Sequence, residues 1–256
     1  MVTSILRGGL GNYMFQIGAA TTLAQKYGDQ AMFDFNYTKT VHKNVNTYKN
    51  NLFRKINYSL QLNKSNIYHE PTFNYTKIPY SNNLVLSGYF QSEKYLNREL
   101  ILELFEIDKK SKSYILNKYG TKFSNTTSIH IRRGDYVQKQ DRHPLMPLDY
   151  YYSAVQQLPK TQKIFIFSDD IKWCIDNIKF TDIDTVFVSN EHDYIDLWLM
   201  SMCENNIIAN STFSWWGAWL NTNKNKKVFS PKHTEWFGDN KKLNTVDLIP
   251  KKWEQL

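Results

Sequence analysis

Val2-Thr3-Ser4-Ile5-Leu6 followed by Gly8-Gly9-Leu10-Gly11-Asn12 sets the fold class. The first run reads as a strand and the second as a glycine turn. Residues 13–27 then show helical spacing, with Phe15, Ile17, Ala20, Leu23 and Ala24 available for a core face. Ala31–Phe35 reads as the next strand. Strand, glycine turn, helix, strand is the opening of an α/β unit.

The alternation returns after a hard stretch, residues 36–80, that is rich in Asn, Lys, Tyr and Ser. Leu84–Ser87 is a predicted strand, and Ser92–Leu104 and Lys109–Tyr119 are predicted helices. Gly120–Thr127 is the expected boundary, giving lobes 1–124 and 125–256. Beyond it, strands are predicted at Ser128–Ile131, Lys163–Phe167, Thr185–Val188, Asn206–Ala209 and Lys227–Phe229. Helices are predicted between them at Pro147–Leu158, Ile171–Ile178, Asp193–Cys203 and Phe213–Leu220. Short apolar strands with intervening helices argue for a parallel sheet covered on both faces. The expectation is an α/β protein of two Rossmann-like lobes with a cleft between them.

Composition narrows the partners. The chain has 256 residues, 41% hydrophobic, with 17 Tyr, 15 Phe and 7 Trp, which excludes wholesale disorder. No apolar run approaches a membrane span, and the first residues show no signal-peptide core. With no ligand pattern at Cys174 and Cys203, a reducing, cytoplasmic setting is expected. The net charge of +8 favours anionic ligands or an anionic membrane face, where peripheral binding is a hypothesis. No nucleic-acid module is visible.

Polar clusters fall at the predicted carboxyl ends of strands, where open α/β sheets bind ligands. His130-Ile131-Arg132-Arg133-Gly134-Asp135-Tyr136 offers paired guanidiniums suited to a diphosphate. Strand alternation predicts that one arginine reaches phosphate and the other fixes the loop through a carboxylate. The alternative is a surface pair held by Asp135. His130 faces either the core or a nucleobase. Gly9 and Gly11 let backbone approach a ligand at a helix start, and Asn12 adds an amide. Ser211, Thr212 and Ser214 offer hydroxyls at a strand end, against simple helix capping. Asp169 and Asp170 read as a base or ribose contact, a cap, or a magnesium pair. Trp215, Trp216 and Trp219 read as packing residues, and the histidines lack zinc spacing.

Together these pieces resemble the inverting α-1,2-fucosyltransferases of glycosyltransferase family 11. The resemblance is carried by Gly8–Gln16, Gly88-Tyr89-Phe90-Gln91-Ser92-Glu93-Lys94-Tyr95, His130–Tyr136, Phe167–Asp170 and Asn210–Leu220, in family order. It implies a GT-B-like architecture and GDP-β-L-fucose as donor, without a bound metal or other cofactor. It further implies a galactose-terminated oligosaccharide or glycolipid acceptor attacked through its 2-hydroxyl. By the same resemblance, His130 and Arg132 contact guanine and diphosphate, and Asp169 or Asp170 contacts guanine. Ser211, Thr212 and Ser214 lie near the phosphates, and Asn12 reaches the donor. Tyr13 departs from the glutamine usual in the family. Arg132 is expected to stabilise the departing diphosphate. Asp135 is the first candidate base, Glu93 and Glu191 are others, and proton uptake by the leaving phosphate needs none. The alternatives are another fucosyl linkage or nucleotide-sugar donor, or a non-catalytic glycan- or nucleotide-binding protein.

Overall fold

The structure is a computed structural model that describes residues 1–36, 38–39, 45–59, 66–238 and 243–256. His42 and parts of the 36–80 stretch lie outside these. The chain divides into two compact units. One comprises Met1–Asp108 and Leu243–Pro250, the other Lys109–Lys242 and Lys251–Leu256.

The first unit contains β1 (Val2–Ser4), β2 (Leu6–Arg7), α1 (Leu10–Lys26), β3 (Thr38–Lys39), β4 (Asn66–His69), β5 (Leu84–Ser87) and α2 (Arg98–Leu104). Its main sheet has the order β1-β5-β4, all parallel. The predicted strand at 31–35 survives only as single bridges, Val2 to Ala31 and Phe33 to Tyr58. The glycine turn is shorter than expected. Only Gly8 has positive φ, at 89°, a conformation open to glycine at little cost. Gly11 and Asn12 already lie in α1, with Gly9 as its N-cap. The predicted 92–104 helix is split. A 3-10 turn at Glu93–Tyr95 is capped by Ser92, and α2 starts afresh where the Asn97 side chain accepts the Leu100 N–H. Asp247 fastens the returning segment to this unit by accepting the Tyr75 N–H at 3.0 Å and pairing with Lys94.

The second unit runs α3 (Lys109–Tyr119), β6 (Thr126–Ile131), α4 (Leu148–Gln156), β7 (Lys163–Ser168), α5 (Ile171–Asn177), β8 (Asp184–Phe187), α6 (Asp193–Met202), β9 (Asn205–Ile207), α7 (Thr212–Leu220), β10 (Val228–Ser230) and β11 (Glu254–Gln255). Its sheet is parallel throughout, in the order β11-β10-β9-β6-β7-β8. The burial pattern of β6 is continuous, as a strand covered on both faces requires. One core cluster joins Ile129, Ile131, Ile164 and Ile166 of the central strands to Tyr151 and Ala154 of α4.

The units divide at 108/109 rather than 124/125 because α3 is bound to the second one. Glu191 accepts bonds from the Tyr114 and Tyr119 hydroxyls, at 3.0 and 2.7 Å, and pairs with Lys118. Two parallel sheets with intervening helices give the expected GT-B-like fold of two Rossmann-like lobes.

Candidate active site

Strand order locates the site of the second unit. From β6 the chain steps to β7 and β8 on one side, then to β9, β10 and β11 on the other. The order therefore reverses between β6 and β9, where open α/β sheets form a ligand crevice at strand carboxyl ends. His130–Asp135 ends β6 and Asn210–Ser214 follows β9, so both expected clusters flank this reversal.

Successive side chains on a strand point to opposite faces, and the two arginines part accordingly. Arg132 lies in a fork of carboxylates, with Asp135 at 2.8 Å and Asp169 at 3.0 Å. Its guanidinium centre is 5.2 Å from the Tyr136 ring centroid, and its side chain is 28% exposed. That exposure leaves an oriented guanidinium edge for an anion. Arg133 instead stacks on Trp173 at 3.6 Å and pairs with Asp170 at 3.2 Å. It braces the loop through that stacking and pairing.

Asp169 and Asp170 do not converge as a metal pair would. Asp169 accepts the Arg133 N–H at 2.9 Å and binds Arg132. Asp170 caps α5 by accepting the Trp173 N–H at 3.3 Å and binds Arg133. Gly134 is needed for space. A Cβ there would sit 2.1 Å from an Asp169 carboxylate oxygen, so Asp169 could not hold Arg132. Among the described residues no three His, Cys, Asp or Glu side chains group as a metal site.

Asp135 is the salt-bridge partner of Arg132 and Lys139, at 2.8 and 3.0 Å. Partial burial pushes its carboxyl up, but the Lys139 bond and the Arg132 charge outweigh this and hold it below its ordinary value. That makes it a weak proton acceptor. Glu191 is likewise paired, here within the second unit. Burial raises its carboxyl, yet the bonds from Lys118, Tyr119 and Tyr114 bring it below the ordinary value. Its side chain is 4% exposed.

His130 faces inward at 4% exposure, with its ring edge-on to Phe213 at 5.4 Å. Burial first, then the Arg132 charge, pushes its pKa from 6.5 down to about 3. Between these values the unfolded chain binds a proton that the folded chain refuses, so stability rises with pH and falls on acidification. His130 should cost about 2 kcal/mol of stability between pH 7 and pH 5. Denaturant titrations at both pH values should show a smaller loss for His130→Leu. Equal losses would mean that the folded protein protonates His130 freely.

The β9–α7 turn is mostly self-satisfied. The Ser211 Oγ caps α7 by accepting the Phe213 N–H at 3.4 Å. Ser214 is buried and donates to the carbonyls of Ser211 and Ala209, at 3.2 and 3.5 Å. Thr212 is partly exposed at the first position of α7. Two residues without an assigned role stitch the turn to the β6 loop. The Tyr136 hydroxyl donates to the Asn210 carbonyl at 3.2 Å, and burial pushes its pKa up to about 12. The Asn210 amide donates to the carbonyls of Pro144 and Trp236, at 2.8 and 3.3 Å. Both residues lay inside quoted motifs, and only their long-range partners reveal the roles.

The first unit holds its own cluster. Gly9 accepts the Asn12 and Tyr13 N–H groups at 3.0 and 3.1 Å, and Gly11 is buried within α1. The Asn12 Oδ1 accepts from the Gln91 amide at 2.7 Å. The buried Gln16 side chain bridges the backbone of Arg7 and Gly88. These groups gather where β1 and β2 meet α1 and where β5 ends.

Comparison with known proteins places the chain in a family. Residues 1–246 match the family described as Glycosyl transferase family 11. An O-antigen biosynthesis glycosyltransferase, WbnK, from Escherichia coli is 35% identical, over 95% of this chain and 98% of its own. An alpha-1,2-colitosyltransferase from Escherichia coli is 36% identical over 66% of this chain and 61% of its own. Among solved structures, an alpha-1,6-fucosyltransferase, NodZ, soaked with GDP-fucose shares the fold. Its TM-score is 0.58 at 14% identity, with coverage of 91% of this chain and 95% of the other. The chain belongs to glycosyltransferase family 11.

Proposed function

We propose that this glycosyltransferase moves L-fucose from GDP-β-L-fucose to a sugar hydroxyl with inversion, O2 of a terminal galactoside being the first acceptor to try. The observation that carries the reading is the Arg132 fork at the strand-order reversal of the second unit. Charge grows on the departing diphosphate as the glycosidic bond breaks. A preset guanidinium stabilises that charge without reorganising. Asp135 and Asp169 set the guanidinium, and Tyr136 supports it from its ring face.

A second reading keeps the chemistry and changes the sugar or the bond formed. The relative named an alpha-1,2-colitosyltransferase favours a different donor sugar with the same linkage. A donor panel with EDTA present separates these readings. GDP-fucose, GDP-mannose and UDP-galactose are offered with lactose and N-acetyllactosamine, while GDP release and product linkage are followed. Fucose on galactose O2 supports the first reading. Fucose on another oxygen corrects the linkage, and activity only with another donor corrects the sugar. Silence from folded protein with every donor rejects the donor assignment.

The same assay defines the part played by Asp135. Because its carboxylate is paired and acid-shifted, Asp135→Asn should slow transfer by roughly tenfold, the scale of one charge-assisted hydrogen bond. Near-complete loss of transfer with GDP affinity intact would instead make Asp135 the base.

A further inference from the structure

We infer that Glu70 is a positioning residue, acting through the Gly88–Gln91 loop to fix the side-chain amide of Asn12. The inference rests on the proposed use of GDP-fucose and on the donor contact that the family resemblance implies for Asn12, and it adds residues for which the motifs gave no role. Glu70 directly follows β4, and its N–H donates to the Ser87 carbonyl at 3.0 Å, extending the ladder to β5. Its carboxylate accepts the Tyr89 N–H at 2.6 Å and the Phe90 N–H at 2.9 Å. Both oxygens are thus spent on consecutive backbone donors, the geometry of a clamp.

The clamp explains two oddities of the loop. Phe90 has φ of 53°, in the left-handed region that a side chain of this size avoids. Its ring is fully buried, edge-on to Tyr95 at 5.4 Å, and its N–H is tied to Glu70. Gly88 lies so close that a Cβ would meet the Glu70 Cβ at 2.4 Å. The loop therefore leaves β5 in one shape, and that shape delivers Gln91.

Gln91 is 5% exposed, and its Nε2 donates to the Asn12 Oδ1 at 2.7 Å. An amide whose oxygen is held this way cannot turn over without losing that bond. Its nitrogen end is then fixed on the Gly8 side, 2.2 Å from where a Gly8 Cβ would stand. A hydrogen-bond donor, not an acceptor, is thereby kept in place for an electron-rich oxygen of the donor substrate. Three elements of the first unit, the ends of β4 and β5 and the start of α1, converge on one rotamer.

Three variants of the full chain test this: Glu70→Gln, Gln91→Glu and Asn12→Ala. Glu70→Gln leaves one backbone N–H facing an amide NH2. Gln91→Glu replaces the donor to Asn12 by an acceptor and should invert its amide. Each should lower kcat for fucose transfer from GDP-fucose to lactose by about tenfold or more, with little change in the donor KM. In the Asn12→Ala background neither should lower it further, because residues acting through one group are not additive. Additive losses, or losses that follow a fall in Tm, would overturn the positioning role.

Side-chain amide proton exchange by NMR gives a readout that needs no turnover. The Gln91 amide should exchange slowly in the wild type and quickly in Glu70→Gln. Equal exchange would overturn the clamp whatever the kinetics. Intact exchange behaviour, with Asn12→Ala turning over like wild type, would overturn the use of Asn12 instead. Wild-type protein inactive with GDP-fucose would fail the donor reading while the exchange arm still decides the clamp.

Discussion

Arg132→Ala is expected to lower fucose transfer by roughly 10²–10³-fold, the scale seen when a preorganised donor to a developing anion is removed. The folded protein should survive the change. Asp135 keeps Lys139, Asp169 keeps the Arg133 N–H, and both carboxylates retain contact with water. Arg132→Lys separates charge from shape. An ammonium cannot span both carboxylates and still present a planar edge, so it should restore only a small part of the lost rate. The measurement is kcat and KM with GDP-fucose and lactose, beside GDP affinity by calorimetry. Arg132→Ala within a few-fold of wild type, at unchanged Tm, would remove Arg132 from the reaction. Arg133→Ala gives a contrast. It should act mainly on stability, because Arg133 is committed to Trp173 and Asp170.

The largest stability effect is expected at α7. Trp216 has no exposed surface and meets Trp215 and Trp219 edge-on, at 5.2 and 5.3 Å. Truncation to Ala removes a large apolar surface and leaves a cavity between rings that are themselves buried. The cost should be about 3–5 kcal/mol. For a chain of this size that lowers Tm by roughly 6–20 °C. The same helix begins at Thr212 behind the Ser211 cap, so loosening α7 should also weaken GDP binding before global unfolding. Scanning calorimetry with and without GDP reads both effects. A fall of only a degree or two would mean that neighbouring side chains close the cavity.

Local pattern carried much of the fold. Five of the six strands of the second unit lie within about two residues of their expected places, β11 was not read, and α3 occupies Lys109–Tyr119 as read. The strands announce themselves as short apolar runs. The glycine turn misled because glycine signals loop wherever it occurs, whereas Gly9 and Gly11 serve a helix start. The 92–104 reading missed Asn97, a cap that begins a new helix inside an apolar pattern. The unit boundary was not legible, since it depends on Glu191 gathering Tyr114, Lys118 and Tyr119 across a long stretch of chain.

The site divided in the same way. Strand alternation foretold that Arg132 and Arg133 would part, and the tryptophans of α7 were read as packing. Which carboxylate takes which arginine was hidden, because Asp169 and Asp170 come from another strand end. Ser214 illustrates the limit of motif reading. A hydroxyl in a polar turn looks unengaged in sequence, whereas in the fold it donates to the Ser211 carbonyl.

Residues 243–250 complete the first unit, and residues 251–256 then supply β11 to the second. A ribosome delivers chain in one direction, at about 5–20 residues per second. The N-terminal unit therefore stays incomplete until residues 243–250 have emerged, and the second unit until residues 251–256 follow. No single cut yields either unit whole. A dissection that separates them must graft Leu243–Pro250 onto Met1–Asp108, and a short deletion from the far end should unsettle both units at once.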